Sequence, residues 1–157
     1  MRLDLLDARV IATLATVGDD GLPYLSAVWF VRDGDDLLVA TGGRTRKALN
    51  AAARPQAAML VHGRGERPLH GLAASGYVTV TGGGEARALN ERVWRKYLTS
   101  GGRAHPDLGE AIAGHDDLSL RFTPREWRAW STAVDFGGAF ELPGLVQPLQ
   151  PLHPTER

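Results

Sequence analysis

Residues Gly21 to Asn50 (GLPYLSAVWFVRDGDDLLVATGGRTRKALN) constrain the fold more than any other stretch of the chain. Leu22 to Arg32 reads as a strand, with Tyr24, Ser26, Val28 and Phe30 on one face and Leu25, Ala27, Trp29 and Val31 on the other. Asp33-Gly34-Asp35-Asp36 supplies a turn, and Leu37 to Thr41 returns as the next strand. Gly42-Gly43 breaks that strand. Thr45 can cap a helix that runs to about Ala53, where Pro55 keeps it short. The helix opens with Arg44, Arg46 and Lys47, although the positive end of the macrodipole favours acids there. An anion such as a phosphate, seated on the helix end, gives those cations a reason.

The rest of the chain repeats the hairpin theme. Val10 to Val17 is apolar or threonine throughout and rich in β-branched residues, so it predicts a strand with little exposed face. Gly18-Asp19-Asp20-Gly21 turns it into the next one. Leu3 to Ala8 predicts a short leading helix, and Gln56 to His62 a fourth strand. Gly63 to Ala74 reads as a polar loop and Ser75 to Thr81 as a fifth strand, ended by Gly82-Gly83-Gly84. Leu89, Val93, Trp94, Tyr97 and Leu98 make a helical stripe, and Leu108 to Ala113 adds a turn or two. Leu118 to Phe122 and Trp127 to Ser131 close the series as strands. Six or seven short strands with few helices predict a mainly β fold, a small antiparallel barrel over residues 1–132, followed by a proline-rich tail over 133–157. The first two strands are apolar on both faces. Either a partner subunit or the chain's own Leu89–Leu98 helix must cover the surplus, and a homodimer is the expectation.

Composition excludes several functions. At 157 residues and zero formal net charge, the chain has no basic surplus for a nucleic-acid partner. It has no cysteine, hence no disulfide, thiolate metal site or thiol catalysis, which fits a reducing cytoplasm. The N-terminus carries acids where a signal peptide needs cations, and no apolar run approaches a membrane span. His62, His70, His105, His115 and His153 stand singly, without metal-motif pairing. Gly82 to Gly84 lacks the lysine and hydroxyl of a phosphate loop. Asp116-Asp117 reads as a turn and cap, and Ser26 and Ser75 have no triad partners. Of 18 cationic residues 16 are arginines, so Lys47 is one of only two lysines.

The order and spacing of these pieces resemble the pyridoxamine 5'-phosphate oxidase-like flavin-binding split-barrel family. The likeness spans about Val10 to Ser131: an ATLATVG-DG-P hairpin, SAVWF, DGDDLLVAT, a TRKALN helix start, Arg54-Pro55, SGYVTVTG and FTPREWRAW. The resemblance implies a split β-barrel with short flanking helices and a cofactor bound at a dimer interface. Val28, Trp29 and Phe30 would flank the flavin ring, while Thr41, Arg46 and Lys47 would hold its phosphate. Asn50 matches the deazaflavin-using branch, and Tyr77 and Trp127 lie on strands that often complete the site. Trp29 and Phe30 read equally as packing aromatics.

FMN is the expected cofactor. The deazaflavin F-420 is the alternative, with Arg44, Arg54 and Arg64 lining a wider groove for its anionic tail. The implied activity is hydride transfer through the bound ring to or from a small conjugated substrate. No catalytic side chain and no metal ligand is expected. The family's C-terminal Arg-x-His substrate motif has no match, because this end reads Arg125-Glu126-Trp127-Arg128. The competing readings are a flavin- or haem-binding module without turnover and a ligand-free dimeric interaction protein.

Overall fold

The computed structural model describes residues 4–63 and 70–135, together with Gly137, Ala139 and Gly144. Seven antiparallel strands form one sheet: β1 (Ala12–Val17), β2 (Pro23–Val28), β3 (Val31–Asp33), β4 (Asp36–Thr41), β5 (Gln56–His62), β6 (His70–Gly82) and β7 (Leu118–Ser131). Their order is β2-β1-β5-β6-β7-β4-β3. The helices are α1 (Asp4–Asp7), α2 (Arg46–Ala53), α3 (Gly83–Tyr97), α4 (Ser100–Ala104), α5 (Pro106–Ala113) and α6 (Thr132–Asp135). The sheet does not close, which is the architecture of a split barrel.

The expected second strand, Leu22 to Arg32, is two strands. It breaks at Trp29–Phe30, and its halves β2 and β3 lie at opposite edges of the sheet. The chain therefore crosses the open seam of the barrel at these two aromatics. Phe30 turns into the core, fully buried, and its amide donates to the Tyr97 hydroxyl, which itself donates to the Val10 carbonyl. Alternation alone could not reveal this break, because a seam residue that points inward keeps the strand's periodicity.

The inner face is filled by Leu14, Phe30, Leu37, Val39, Val61, Leu72, Leu120 and Phe122, all at 1% exposure or less. Each such burial contributes roughly 1.5–3 kcal/mol. The β3–β4 hairpin turns on Gly34-Asp35. Gly34 has φ 65° and, among the described residues, no other residue type has positive φ, so this is a type II′ turn, which suits the strand twist.

Three further expectations needed correction. Leu118–Phe122 and Trp127–Ser131 are one strand, because the Pro124 signal marks a bulge rather than an end. Gly76 faces that bulge, where a Cβ would lie 2.1 Å from the Thr123 carbonyl oxygen. Residues 70–74, expected as loop, pair with β5 and β7. The helix expected at Leu89 begins at Gly83, and its inner stripe is Ala86, Asn90 and Val93. Asn90 is polar and so hid the stripe; its amide donates to the Leu118 carbonyl. The helix Thr132–Asp135 runs into the start of the predicted tail, and most of the remainder lies outside the described residues.

The outer face has two unlike halves. On β4, Leu37 and Val39 point inward, while Leu38 is equally buried beneath α3, which packs on β4, β7, β6 and β3. On β1, β2, β5 and β6 the outward residues Thr13, Ala15, Leu25, Leu60 and Ala73 line a shallow cleft of about 590 Å³. The chain's own long helix thus covers the other half of the barrel.

Candidate functional site

The site is built where β4 ends, α2 begins and the seam crosses. Pairing of Thr41 with Leu118 sets the residues after β4 against those before β7. Gly42 and Gly43 allow this approach. A Cβ at Gly42 would meet the Gly114 carbonyl oxygen at 2.7 Å, and one at Gly43 would meet the Asp117 carboxylate at 3.0 Å. That carboxylate accepts the Gly43 amide at 2.9 and 3.1 Å. The amide of Gly43 is thus already bound to an internal anion.

Thr45 occupies the N-cap of α2, yet its side chain accepts from no helix amide. Its hydroxyl donates back to the Gly42 carbonyl at 2.8 Å, so the Thr41 hydroxyl, 2.8 Å away, donates to Thr45. Both threonines lock the loop. The first turn of α2 is left without a side-chain cap and without an acid.

Lys47 stands in that turn. It is half-buried, and burial lowers its pKa below the usual 10.5. Among the described residues its ammonium has no hydrogen bond and no ion pair. It lines a cavity of about 230 Å³ with Val28, Trp29, Trp94 and His115. Trp29 stacks on Tyr97 at 4.8 Å and meets Trp94 edge-on at 6.1 Å. The Trp94 indole donates to Asp116 at 3.3 Å. A second cavity of about 400 Å³, lined by Gly42, Gly43, Arg44, Thr45, Gly114 and Asp117, shares His115 with the first.

Of the seven residues expected to bind a cofactor, Val28, Trp29 and Lys47 meet in one cavity. Thr41 lies one layer behind, fully buried. Arg46 is exposed and reaches the other way, its guanidinium 5.8 Å from the Tyr24 ring centre. Phe30 belongs to the core, with the Lys96 ammonium 4.0 Å above its ring. Asn50 is buried, and its amide donates to the Thr16 hydroxyl at 3.1 Å, tying α2 to β1.

Of the wider set, Arg54 is the C-cap of α2, about 12 Å from its start by helix rise, and Arg64 lies outside the described residues. Tyr77 is exposed beside Arg125, and Trp127 packs on Phe122; neither lines the Lys47 cavity of its own chain. His115, Trp94 and Asp117 were not expected at the site. His115 and Asp117 reach it through the β4–β7 register and Trp94 through the packing of α3 on β4, non-local contacts with no local sequence signal. Among the described residues no group of three or more histidines and acids could hold a metal ion, and no helix is long and apolar enough to cross a membrane.

An open seven-stranded antiparallel barrel with a cationic helix start at its seam defines a split-barrel protein. The chain belongs to the pyridoxamine 5'-phosphate oxidase family, whose model matches residues 3–131. Among similar solved structures is a conserved hypothetical protein from Mycobacterium tuberculosis, at 21% identity over 97% of this chain and 89% of that one, with a TM-score of 0.67. An F-420 reductase is 25% identical over 80% of this chain and 94% of its own, with a TM-score of 0.63. The haem storage protein HutZ of Vibrio cholerae is 17% identical over 83% and 95%, also at 0.63. A comparison with curated proteins found no match.

Proposed function

We propose that this protein is an oxidoreductase that binds a phosphorylated flavin, FMN, at the seam beside α2. The observation that carries the reading is Lys47, a half-buried ammonium at an uncapped helix start with no partner among the described residues. Nothing in the fold explains why that charge is kept out of water, whereas a bound phosphate would. Lys47 would hold the phosphate as a point charge, with Arg46 attracting it from the exposed side. β2 is an edge strand, so its free main-chain groups can bond the polar edge of a ring. Trp29 and Val28 supply apolar contact. The bound ring would supply the hydride chemistry, and the protein would bind, orient and shield it.

The deazaflavin F-420 is the second reading. The 25% identity to an F-420 reductase favours it, as does Arg44 beside the second cavity, where a longer anionic tail would find a cation. Absorption of the purified protein tests both: flavin bands for FMN, a band near 420 nm for the deazaflavin (roughly, as free cofactors absorb). Titration of apo-protein with each then ranks them. A Soret band with no flavin affinity would instead support a haem-binding module.

The reading includes a second copy of the chain. Among the described residues, the open outer half of the sheet exposes Leu22 and Leu25 by more than 60%. A partner seated there would complete the cofactor site from its own strands. Ala58→Arg, at the centre of that face, is expected to give a folded monomer by sedimentation and to lose cofactor affinity. A dimer of unchanged affinity would contradict this assignment.

A further inference from the structure

We propose that His115 is a second, protonation-dependent contact of the anion site, so that affinity for a phosphorylated ligand rises as its ring gains a proton. This rests on the reading of Lys47 as the phosphate contact. His115 follows Gly114, the C-cap of α5, and is the residue common to the Lys47 cavity and the Gly42–Thr45 cavity. Its Nδ1 lies 3.0 Å from the Ala111 carbonyl oxygen. A carbonyl only accepts, so Nδ1 carries the proton of the neutral ring. That leaves Nε2 as the nitrogen that gains or loses charge. The bond to Ala111, one turn back along α5, also fixes the ring on the helix rather than leaving it to swing.

The charges around this ring come from several elements. Lys47 on α2 and Arg44 in the preceding loop line the two cavities that it joins. Of the nearby acids, Asp116 already accepts the Trp94 indole and Asp117 the Gly43 amide. From α5 itself Glu110 is one turn away, and Arg103 of α4, the helix packed on α5, is paired with Glu91. No ion pair to His115 exists among the described residues. An anion between Lys47 and His115 changes this balance. It offsets the ammonium's repulsion and gives Nε2–H an acceptor, so binding takes up a proton. A neutral ring, whose Nε2 only accepts, offers the phosphate neither a donor nor a charge.

The test is FMN titration of the full-length wild type and His115→Gln between pH 8.5 and 6. Gln can donate from the same place without titrating. The phosphate's own second ionisation, near pH 6, acts on both proteins and cancels in their ratio. Wild type should bind FMN no more tightly than His115→Gln at pH 8.5 and about 3- to 10-fold more tightly at pH 6, the range of one partly exposed charge-assisted contact. Riboflavin, which lacks the phosphate, should show no such divergence. Parallel FMN profiles for the two proteins would overturn the role of His115 and leave the Lys47 reading standing. Divergence equal for riboflavin and FMN would also overturn it, because the ring would then be sensing something other than the phosphate. Failure of wild type to bind either FMN or F-420 at any pH would overturn both readings together.

Discussion

The chain's two lysines occupy similar surroundings and do opposite things. Both are half-buried, and burial lowers the pKa of both; Lys96 is brought to about 8, with Asp7 partly restoring it. Lys96 donates to the Leu6 carbonyl at 3.1 Å and lies over the Phe30 and Tyr97 rings, so it fastens α3 to α1 and to the seam. Lys47 fastens nothing among the described residues. The arginines sharpen the contrast. On the far side of β3 and β4, Arg92 and Arg121 hold Asp33 at 2.8 Å each and keep its carboxyl below the usual carboxylate range. Arg44 and Arg46, beside Lys47, have no carboxylate among the described residues. Where this fold needs a cation for structure, it supplies a partner. A desolvated cation without one is therefore read as half of an interaction whose other half is a ligand.

The contrast can be broken most decisively by removing the open pair. Arg46→Ala with Lys47→Ala is expected to weaken FMN binding, or F-420 binding if that is preferred, by at least about 10-fold, the half-buried Lys47 contact being worth roughly 1.5–3 kcal/mol and the exposed Arg46 much less. Its melting temperature should hardly move, because neither side chain supports the fold. Unaltered affinity would sink the phosphate assignment.

Lys96→Met should show the reverse pattern, unchanged affinity and lower stability at pH 7, about 1 kcal/mol by denaturant unfolding. The pH dependence sharpens it. Lys96 titrates near 8 when folded and at 10.5 when unfolded, so the unfolded chain holds more protons between those values. Wild-type stability should therefore rise relative to Lys96→Met as pH climbs from 8 to 10.5, since the cost of burying the charge disappears. A fall over that window would mean that the ammonium is stabilised in place rather than desolvated.

Asn50→Ala separates fold from site within α2. It removes a buried bond to Thr16 and should cost roughly 1–2 kcal/mol of stability. Any change in affinity should follow from a loosened helix, so that Asn50→Asp, which can accept from the Thr16 hydroxyl, restores much of it. Arg46→Ala alone should give the smallest effect, under about 3-fold in affinity, because an exposed guanidinium is screened by water and salt.

The chain's own pattern made the fold largely legible. Turn chemistry at Gly34 and Gly21, the bounds of β5 and the short α2 were all readable, because each rests on local steric and capping preferences. The bulge at Pro124 and the seam at Trp29–Phe30 were not. One imitates a strand end, and the other preserves alternation while the chain changes edges. For the site, charge placement was legible and side-chain direction was not. Lys47, singled out by its wrong sign at a helix start, lines the seam cavity. That Arg46 leans onto Tyr24, that Phe30 and Asn50 turn inward, and that Asp117 claims the Gly43 amide all depend on tertiary neighbours. His115 shows the same limit from the other side, a solitary histidine that register alone brings to the cavity.

With only two lysines, one measurement addresses the central claim directly. The protein is acetylated under limiting reagent with and without saturating FMN, and with and without F-420, and the modification of Lys47 and Lys96 is read separately by peptide mass spectrometry. The account predicts that whichever cofactor binds protects Lys47 several-fold and leaves Lys96 unchanged. Bound cofactor with Lys47 labelled as fast as in the free protein would contradict it.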